Sequence, residues 1–426
     1  MRKLNRKGVL VVVTVLGLIA AACGGTSGPP DACTSDPFGC VEVGAGEPIK
    51  IGSLLVITTA DASLGLDSQY GVELALDYWG ATDFDGANGQ IKGHDVALQA
   101  EDDGCSAEGG TAGAQKLAAD EDIVGVVGTS CSSAALGVAD TILGDKGIVL
   151  VSPSNTGPAL TDPAKHKPFY LRTAHNDKLQ GATVAHFAYN ELGVKSAATI
   201  HDGSPYAEGL ANVFAEVFTS LGGTVTAQEA IQRGDTDFNP VLTSIAATGP
   251  EFLYYPIFVA EGGLITQQAR GTAGLEAIAL QGSDGLFTPD WIDAAGAENA
   301  EGVYISGPDL SAFTGDVDFY NNVFIPAYTA KYGPPGSVFH AHAWDATNML
   351  LTAIDQVAIE QGDSLFIPRT ALKDAMFATS GFVGITGTLD CNDDGDCQQA
   401  VTIAVHQVKN GEFGDPIYSE ASTLGG

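Results

Sequence analysis

Two short runs of hydroxylic residues hold the most chemistry in this sequence. Ser130-Cys131-Ser132-Ser133 follows an apolar run at 123–127, and Ser152-Pro-Ser-Asn-Thr-Gly-Pro158 follows another at 148–151. Each apolar run reads as a buried strand, so two strand ends present small hydroxyls side by side. In an open α/β sheet, ligands bind outside the carboxyl ends of the strands. A helix opening at Ser132 would offer free N–H groups and a partial positive charge, enough to hold a carboxylate without an arginine. Ser132 and Thr156 are the candidate anion ligands. The same residues also suit two ordinary strand–helix turns with capping hydroxyls, and this stretch alone leaves both readings open.

Other candidate chemistry is weaker. His340-Ala-His342, with Asp345 nearby, has metal-ligand spacing, but no third ligand suggests itself and a solvated helix end is expected. Asp390-Cys-Asn-Asp-Asp-Gly-Asp396 resembles the first half of a calcium loop, yet the position where a bidentate acid belongs is Val401. A hairpin turn stapled by Cys391–Cys397 is the better account. Gly109-Gly110-Thr-Ala-Gly113 lacks dinucleotide spacing, and CxxC, HExxH and GxSxG patterns are missing. A binding protein without catalysis, metal or cofactor is expected.

The chain has 426 residues, enough for two sizeable domains. Charged residues are 17% and hydrophobic residues 45%, a globular balance rather than a disordered one. A net charge of −33 argues against nucleic acid as a partner, because phosphate binding needs basic patches. It suits solubility or a salty habitat. Arg2, Lys3, Arg6 and Lys7 precede an apolar run at 9–22. That run is shorter than the roughly 20 residues a membrane span needs, and reads as a signal peptide. It ends Ile19-Ala-Ala-Ala-Cys23, which resembles a bacterial lipobox with Ala20 where leucine is usual, so Cys23 is the expected lipidated residue. Residues 23–47, rich in Gly, Ser, Pro and Asp, read as a flexible tether. Setting Cys23 aside leaves an even set of cysteines, as suits an exported protein. They pair naturally as Cys33–Cys40, Cys105–Cys131 and Cys391–Cys397, the middle one worth roughly 3–4 kcal/mol by chain entropy.

From residue 48 the pattern alternates strand and helix, which gives parallel sheets covered on both faces. Strands are expected at 49–56, 94–100, 123–127, 148–151, 169–173, 196–200, 225–231, 252–256, 277–281 and 303–306, with a polar loop at 57–66. Helices are expected at 70–79, 107–119, 133–143, 178–192, 206–221, 239–247 and 261–272, and longer ones at 316–331, 342–360 and 368–378. A closing hairpin is expected between 387–390 and 400–409.

Several stretches in this order resemble the leucine/isoleucine/valine-binding family of solute receptors, which has the type I periplasmic binding-protein fold. They include Gly86-Ala-Asn-Gly-Gln-Ile-Lys-Gly93, Asp102-Asp-Gly-Cys105, Val127-Gly-Thr-Ser-Cys-Ser-Ser133, Ser152 to Thr161, Phe169-Tyr-Leu-Arg172, His201-Asp-Gly-Ser-Pro-Tyr206, Asp237-Phe238 and Gln268-Ala-Arg270. The resemblance implies two α/β lobes, each a doubly wound parallel sheet, joined by three hinge crossovers. One lobe is expected at 48–172 and 307–387, the other at 173–306 and 388–426, with hinges at 172–174 and 302–308.

It also implies a site. Ser132 and Thr156 would hold a ligand carboxylate, and the Ser154 carbonyl and Asp284 its ammonium group. The family more often carries glutamate at the Asp284 position. Tyr206 and Phe258 would be pocket aromatics, with Leu64 where the family often has another. Such a pocket suits a branched-chain or other hydrophobic amino acid. The implied protein is a monomeric, lipid-anchored receptor on the outer face of the cytoplasmic membrane, delivering its ligand to the permease of an ABC importer. Alternatives are the same fold holding urea, a short amide or an aromatic acid, or a ligand sensor.

Overall fold

The computed structural model describes residues 28–79, 89–165, 168–398 and 400–423. The expected signal segment, Cys23, the start of the tether and residues 86–88 of the turn lie outside the described residues.

Two sheets organise the chain. The first runs Gln90–Ile91, His94–Asp102, Ile49–Leu55, Ile123–Gly128, Val149–Ser152, Tyr170–Arg172. Its pairings are parallel apart from the short strand Gln90–Ile91. The inner strands are apolar on both faces because each face meets helices. Ile49, Ile51, Leu55 and Val127 share a core with Val72 of helix Ala62–Tyr78 and Met349 and Leu350 of helix His340–Val357. Leu54, Val126 and Leu150 point the other way, to Ala114 and Leu117 of helix Ala107–Ala119.

The second sheet runs Glu412–Thr423, Ala400–Lys409, Tyr304–Pro308, Ala279–Gly282, Phe252–Tyr254, Ser196–His201, Thr224–Ala230. From Tyr304–Pro308 onward its neighbours are parallel, and Ala400–Lys409 and Glu412–Thr423 close it as an antiparallel hairpin. The chain leaves the first sheet after Arg172, leaves the second after Pro308 for helices such as His340–Val357 that cover the first, and rejoins the second at Ala400. This is the two-lobed α/β arrangement that the resemblance implies.

The structure corrects several local expectations. The tether ends early: helix Asp31–Ser35 and strand Cys40–Val43 are built into the first lobe. The strand pairs antiparallel with Ser364–Pro368, buries Val41 and Val43, and is joined to the helix by Cys33–Cys40. Ser364–Pro368 is a strand in the gap between the helices expected at 342–360 and 368–378. The 57–66 loop is shorter than expected, since a helix begins at Ala62. Strand Ala400–Lys409 takes Glu412–Thr423 as its hairpin partner rather than 387–390. The long helix at 316–331 is interrupted by a π turn at Tyr320–Phe324. His340 and His342 are fully buried rather than solvated: His340 bonds Asp67 and the Tyr320 hydroxyl, and the His342 ring packs by Phe313 and Phe339.

At the first crossover sits a fully buried Arg172. Its Nε donates to Asp396 at 2.5 Å, Nη1 to the Asn155 and Gly157 carbonyls at 3.2 and 3.0 Å, and Nη2 to Thr161 Oγ1. Its backbone joins the same turn, with Arg172 N donating to Gly395 O and Cys397 N to Arg172 O. The Asp390–Asp396 segment is therefore a disulfide-closed turn whose last acid serves Arg172. Removing one member of a buried ion pair leaves the other charge uncompensated. Arg172→Met is expected to cost about 3–5 kcal/mol in urea unfolding; a loss under about 1 kcal/mol would show that the guanidinium does not anchor this junction.

Candidate functional site

The first-lobe half of the site is a set of strand ends tied together by buried polar groups. Asp103 is fully buried and accepts from Ser130 N at 2.6 Å and Cys105 N at 2.7 Å. Burial pushes its carboxyl up to about 7. Ser130 Oγ accepts from Val56 N at 2.9 Å, and Cys105–Cys131 links the same two turns covalently. These bonds set Ser132 at the start of the short helix Ser132–Leu136. Its Oγ accepts from Gly157 N at 3.2 Å. A Cβ on Gly157 would stand 2.9 Å from that Oγ, so glycine is what allows the two turns to meet.

The second turn is shaped by Ser152, whose Oγ donates to Thr129 O and accepts from Ser154 N and Asn155 N. Ser154 Oγ donates to Ser130 O at 3.1 Å. Thr156 is 1% exposed, and its Oγ1 has no partner at hydrogen-bond geometry. It lies beside the Asp177 carboxylate, whose pKa burial raises and this hydroxyl lowers.

The second-lobe half centres on Asp284, which opens a 3₁₀ turn after strand Ala279–Gly282. Asp284 Oδ1 accepts from Tyr206 Oη at 2.9 Å and Gln180 Nε2 at 2.8 Å. Tyr206 lies in the first turn of helix Pro205–Ser220, which Ser204 caps. Its ring is 5.1 Å from that of Phe258. Leu64, Tyr206 and Phe258 belong to one apolar cluster that draws on both lobes, with Val56, Val338 and Phe339 from the first.

Three polar side chains of the site were not singled out from the sequence. Asp177 is fully buried, its carboxylate meets the Thr156 hydroxyl and lies 3.9 Å from His175 Nε2, and its N–H donates to Thr156 O at 3.0 Å. Gln180, one turn along the same helix Asp177–His186, spans Asp284 and the Ser306 hydroxyl. His175 bonds Gln180 through Nε2 and is kept neutral by burial, its pKa pushed down to about 4. An acid and an amide three residues apart, just beyond the first hinge, were the available signal. Asn176 capping the helix made Asp177 look like an ordinary first-turn acid.

Donor atoms of His175, Asp177 and Asp284 lie within 4.8 Å of one another. They could hold a metal ion, but Tyr206 and Gln180 already orient Asp284, and a compact ammonium group suits the same space. Burial raises the pKa of both carboxyls, and the charge of Asp284 raises Asp177 further. Two acids so placed favour holding a proton or a cation between them. The Ser132 and Thr156 hydroxyls lie on the first-lobe side, joined to Asp177 through Thr156. The two halves together suit a small zwitterion.

A raised carboxyl pKa stabilises the folded state fully below the unfolded value and is lost as pH rises through the folded one. Ligand-free stability should therefore fall from about pH 4 to about pH 7. Asp103→Asn should flatten that fall, because Asp103 titrates near 7. Melting curves across pH for both proteins check this, and parallel curves would refute it.

Comparison with known proteins places these features in context. The family model for periplasmic binding proteins matches residues 48–412. The Leu/Ile/Val-binding protein homolog 3 of Brucella melitensis is 29% identical, covering 82% of this chain and 88% of the relative. Among solved structures, a leucine-binding protein from Thermotoga maritima is 26% identical with a TM-score of 0.74, over 87% of this chain and 98% of that one. The branched-chain amino acid transporter substrate-binding protein of Streptococcus pneumoniae, solved with isoleucine, is 25% identical with a TM-score of 0.74, over 88% and 99%.

Proposed function

We propose that this chain, which belongs to the periplasmic binding protein family among the Leu/Ile/Val-binding proteins, captures a branched-chain or other hydrophobic amino acid between its lobes for an ABC importer. The observation that carries the reading is the buried acid pair Asp177 and Asp284, with Asp177 bonded to Thr156 and with Tyr206, a partner of Asp284, in one apolar cluster with Leu64 and Phe258. In this reading the acids and Tyr206 take the ligand ammonium group. Ser132, Thr156 and the nearby backbone N–H groups take its carboxylate. Leu64, Tyr206 and Phe258 enclose its side chain. Charge-assisted bonds of this kind contribute about 1.5–3 kcal/mol each. The receptor does no chemistry: it closes on its ligand and presents it to a membrane permease.

The anchor in this reading is lipid on Cys23, with the lobes extending outside the cytoplasmic membrane. Among the described residues, no helix is long and apolar enough to cross a membrane. The working form is a monomer.

A thermal-shift screen of residues 24–426 tests the ligand class. At a hundred times the dissociation constant, a ligand stabilises by about 2.7 kcal/mol. Leucine, isoleucine or valine should raise the melting temperature, and Asp284→Ala should abolish the shift. Silence from amino acids, with a response to amides or aromatic acids, would discard this ligand class and keep the receptor.

The acid pair makes a second expectation. An incoming ammonium group favours the ionised acids, so binding should release a proton near pH 6. Affinity should weaken as pH falls from 7 to 5. Calorimetry in buffers of different ionisation heat measures the proton count, and zero exchange would count against the pair as the ammonium site.

A further inference from the structure

Asp61 and Arg233 meet across the cleft, away from the acid pair. Asp61 precedes helix Ala62–Tyr78 of the first lobe, and Arg233 lies in the turn after strand Thr224–Ala230 of the second. Arg233 Nη2 is 2.7 Å from Asp61 Oδ2, and Nη1 donates to the Cys105 carbonyl at 2.5 Å. Asp61 Oδ1 accepts from Val259 N at 3.3 Å. Val259 opens helix Val259–Gly271, whose preceding residue, Phe258, supplies no side-chain cap. A first-lobe carboxylate thus serves the N-terminus of a second-lobe helix, where the helix dipole favours negative charge. The Asp61 side chain is 5% exposed and that of Arg233 33%, so a buried acid lies beneath a half-exposed guanidinium. The neighbouring acid, Glu261, is engaged by Gly234 N at 2.7 Å.

Each of these side-chain hydrogen bonds of Asp61 and Arg233 joins one lobe to the other, so hinge opening breaks them together. The pair also borders the apolar cluster of Leu64, Tyr206 and Phe258. The guanidinium carbon lies 5.1 Å over the Phe258 ring, and Leu64 follows Asp61 by one turn, with Leu64 N donating to Asp61 O.

We propose that Asp61 and Arg233 form a closure clasp that also walls off the side-chain end of the pocket. It is made when the lobes close, and it excludes side chains long enough to reach past Phe258. The wall rests on the amino acid reading; the clasp needs no ligand.

The test has a part for each. Spin labels, one per lobe, report the interlobe distance in ligand-free residues 24–426 at low salt. Arg233→Gln or Asp61→Asn should each reduce the short-distance population about threefold, and the double variant no further. Raising sodium chloride from about 0.05 to about 0.5 M should reduce it in the wild type alone. Unchanged distances, or losses that add in the double variant, overturn the clasp. Calorimetry then compares leucine with 2-aminooctanoic acid. The wild type should prefer leucine by about tenfold, and Asp61→Ala combined with Arg233→Ala should narrow this below about threefold. A retained preference overturns the wall. Failure of the wild type to bind either compound overturns the wall together with the amino acid reading, while the distance result still judges the clasp.

Discussion

Arg172 is the constraint on which the rest of the structure depends. A guanidinium out of contact with water must find partners for its donors, and here they lie in three separate places. Asp396 comes from the disulfide-closed turn, the Asn155 and Gly157 carbonyls from the site loop, and Thr161 from the segment beyond it. Because the fork is planar and rigid, it sets these pieces relative to one another as well as attracting them. One residue at the first crossover therefore holds the third crossover in place and shapes the loop that presents Thr156. Neutralising its charge with Asp396 makes the burial tolerable, and the backbone bonds around Gly395 and Cys397 hold that acid where it is needed.

The cleft extends the same economy of buried polar groups. On the first-lobe side, Asp103 and Cys105–Cys131 lock two strand ends so that Ser132 and Gly157 can touch. On the second-lobe side, Gln180 and Tyr206 both grip one oxygen of Asp284. Between them, the Asp177 carboxylate and the Thr156 hydroxyl meet each other without ideal hydrogen-bond geometry. Buried groups are nearly always hydrogen-bonded, so polar groups this loosely paired are the ones a bound ligand would engage in the proposed reading. The apolar cluster that unites both lobes around Leu64, Tyr206 and Phe258 supplies the complementary surface. Asp61 and Arg233 close the outside of that surface with charge.

Much of this was legible in the chain. Continuous apolar runs such as 123–127 mark strands covered on both faces, and the structure places Ile123–Gly128 in the middle of the first sheet. Cysteine spacing led to the three disulfides. The turns that hold Ser132 and Thr156 were readable because strand ends advertise themselves through small polar residues. Asp177 and Gln180 were hidden because an acid at a helix start and an amide one turn later are common for local reasons. The strand Cys40–Val43 was missed because its composition is that of a linker. Its order comes from pairing with Ser364–Pro368, more than 300 residues away.

The division follows from the range of the forces involved. By itself the sequence determined what local patterning can specify: alternating strands and helices, an exported and acidic chain, cysteine pairs close in sequence, and turns capable of binding an anion. The tertiary structure alone decided which acids lie together, since Asp177 and Asp284 are 107 positions apart and meet through the sheet order, not through any periodicity. It also decided that His340 and His342 are core residues and that the calcium-like turn serves Arg172. Those outcomes depend on burial, which converts a polar residue from a surface group into one that must find a partner, and burial is a property of the folded whole.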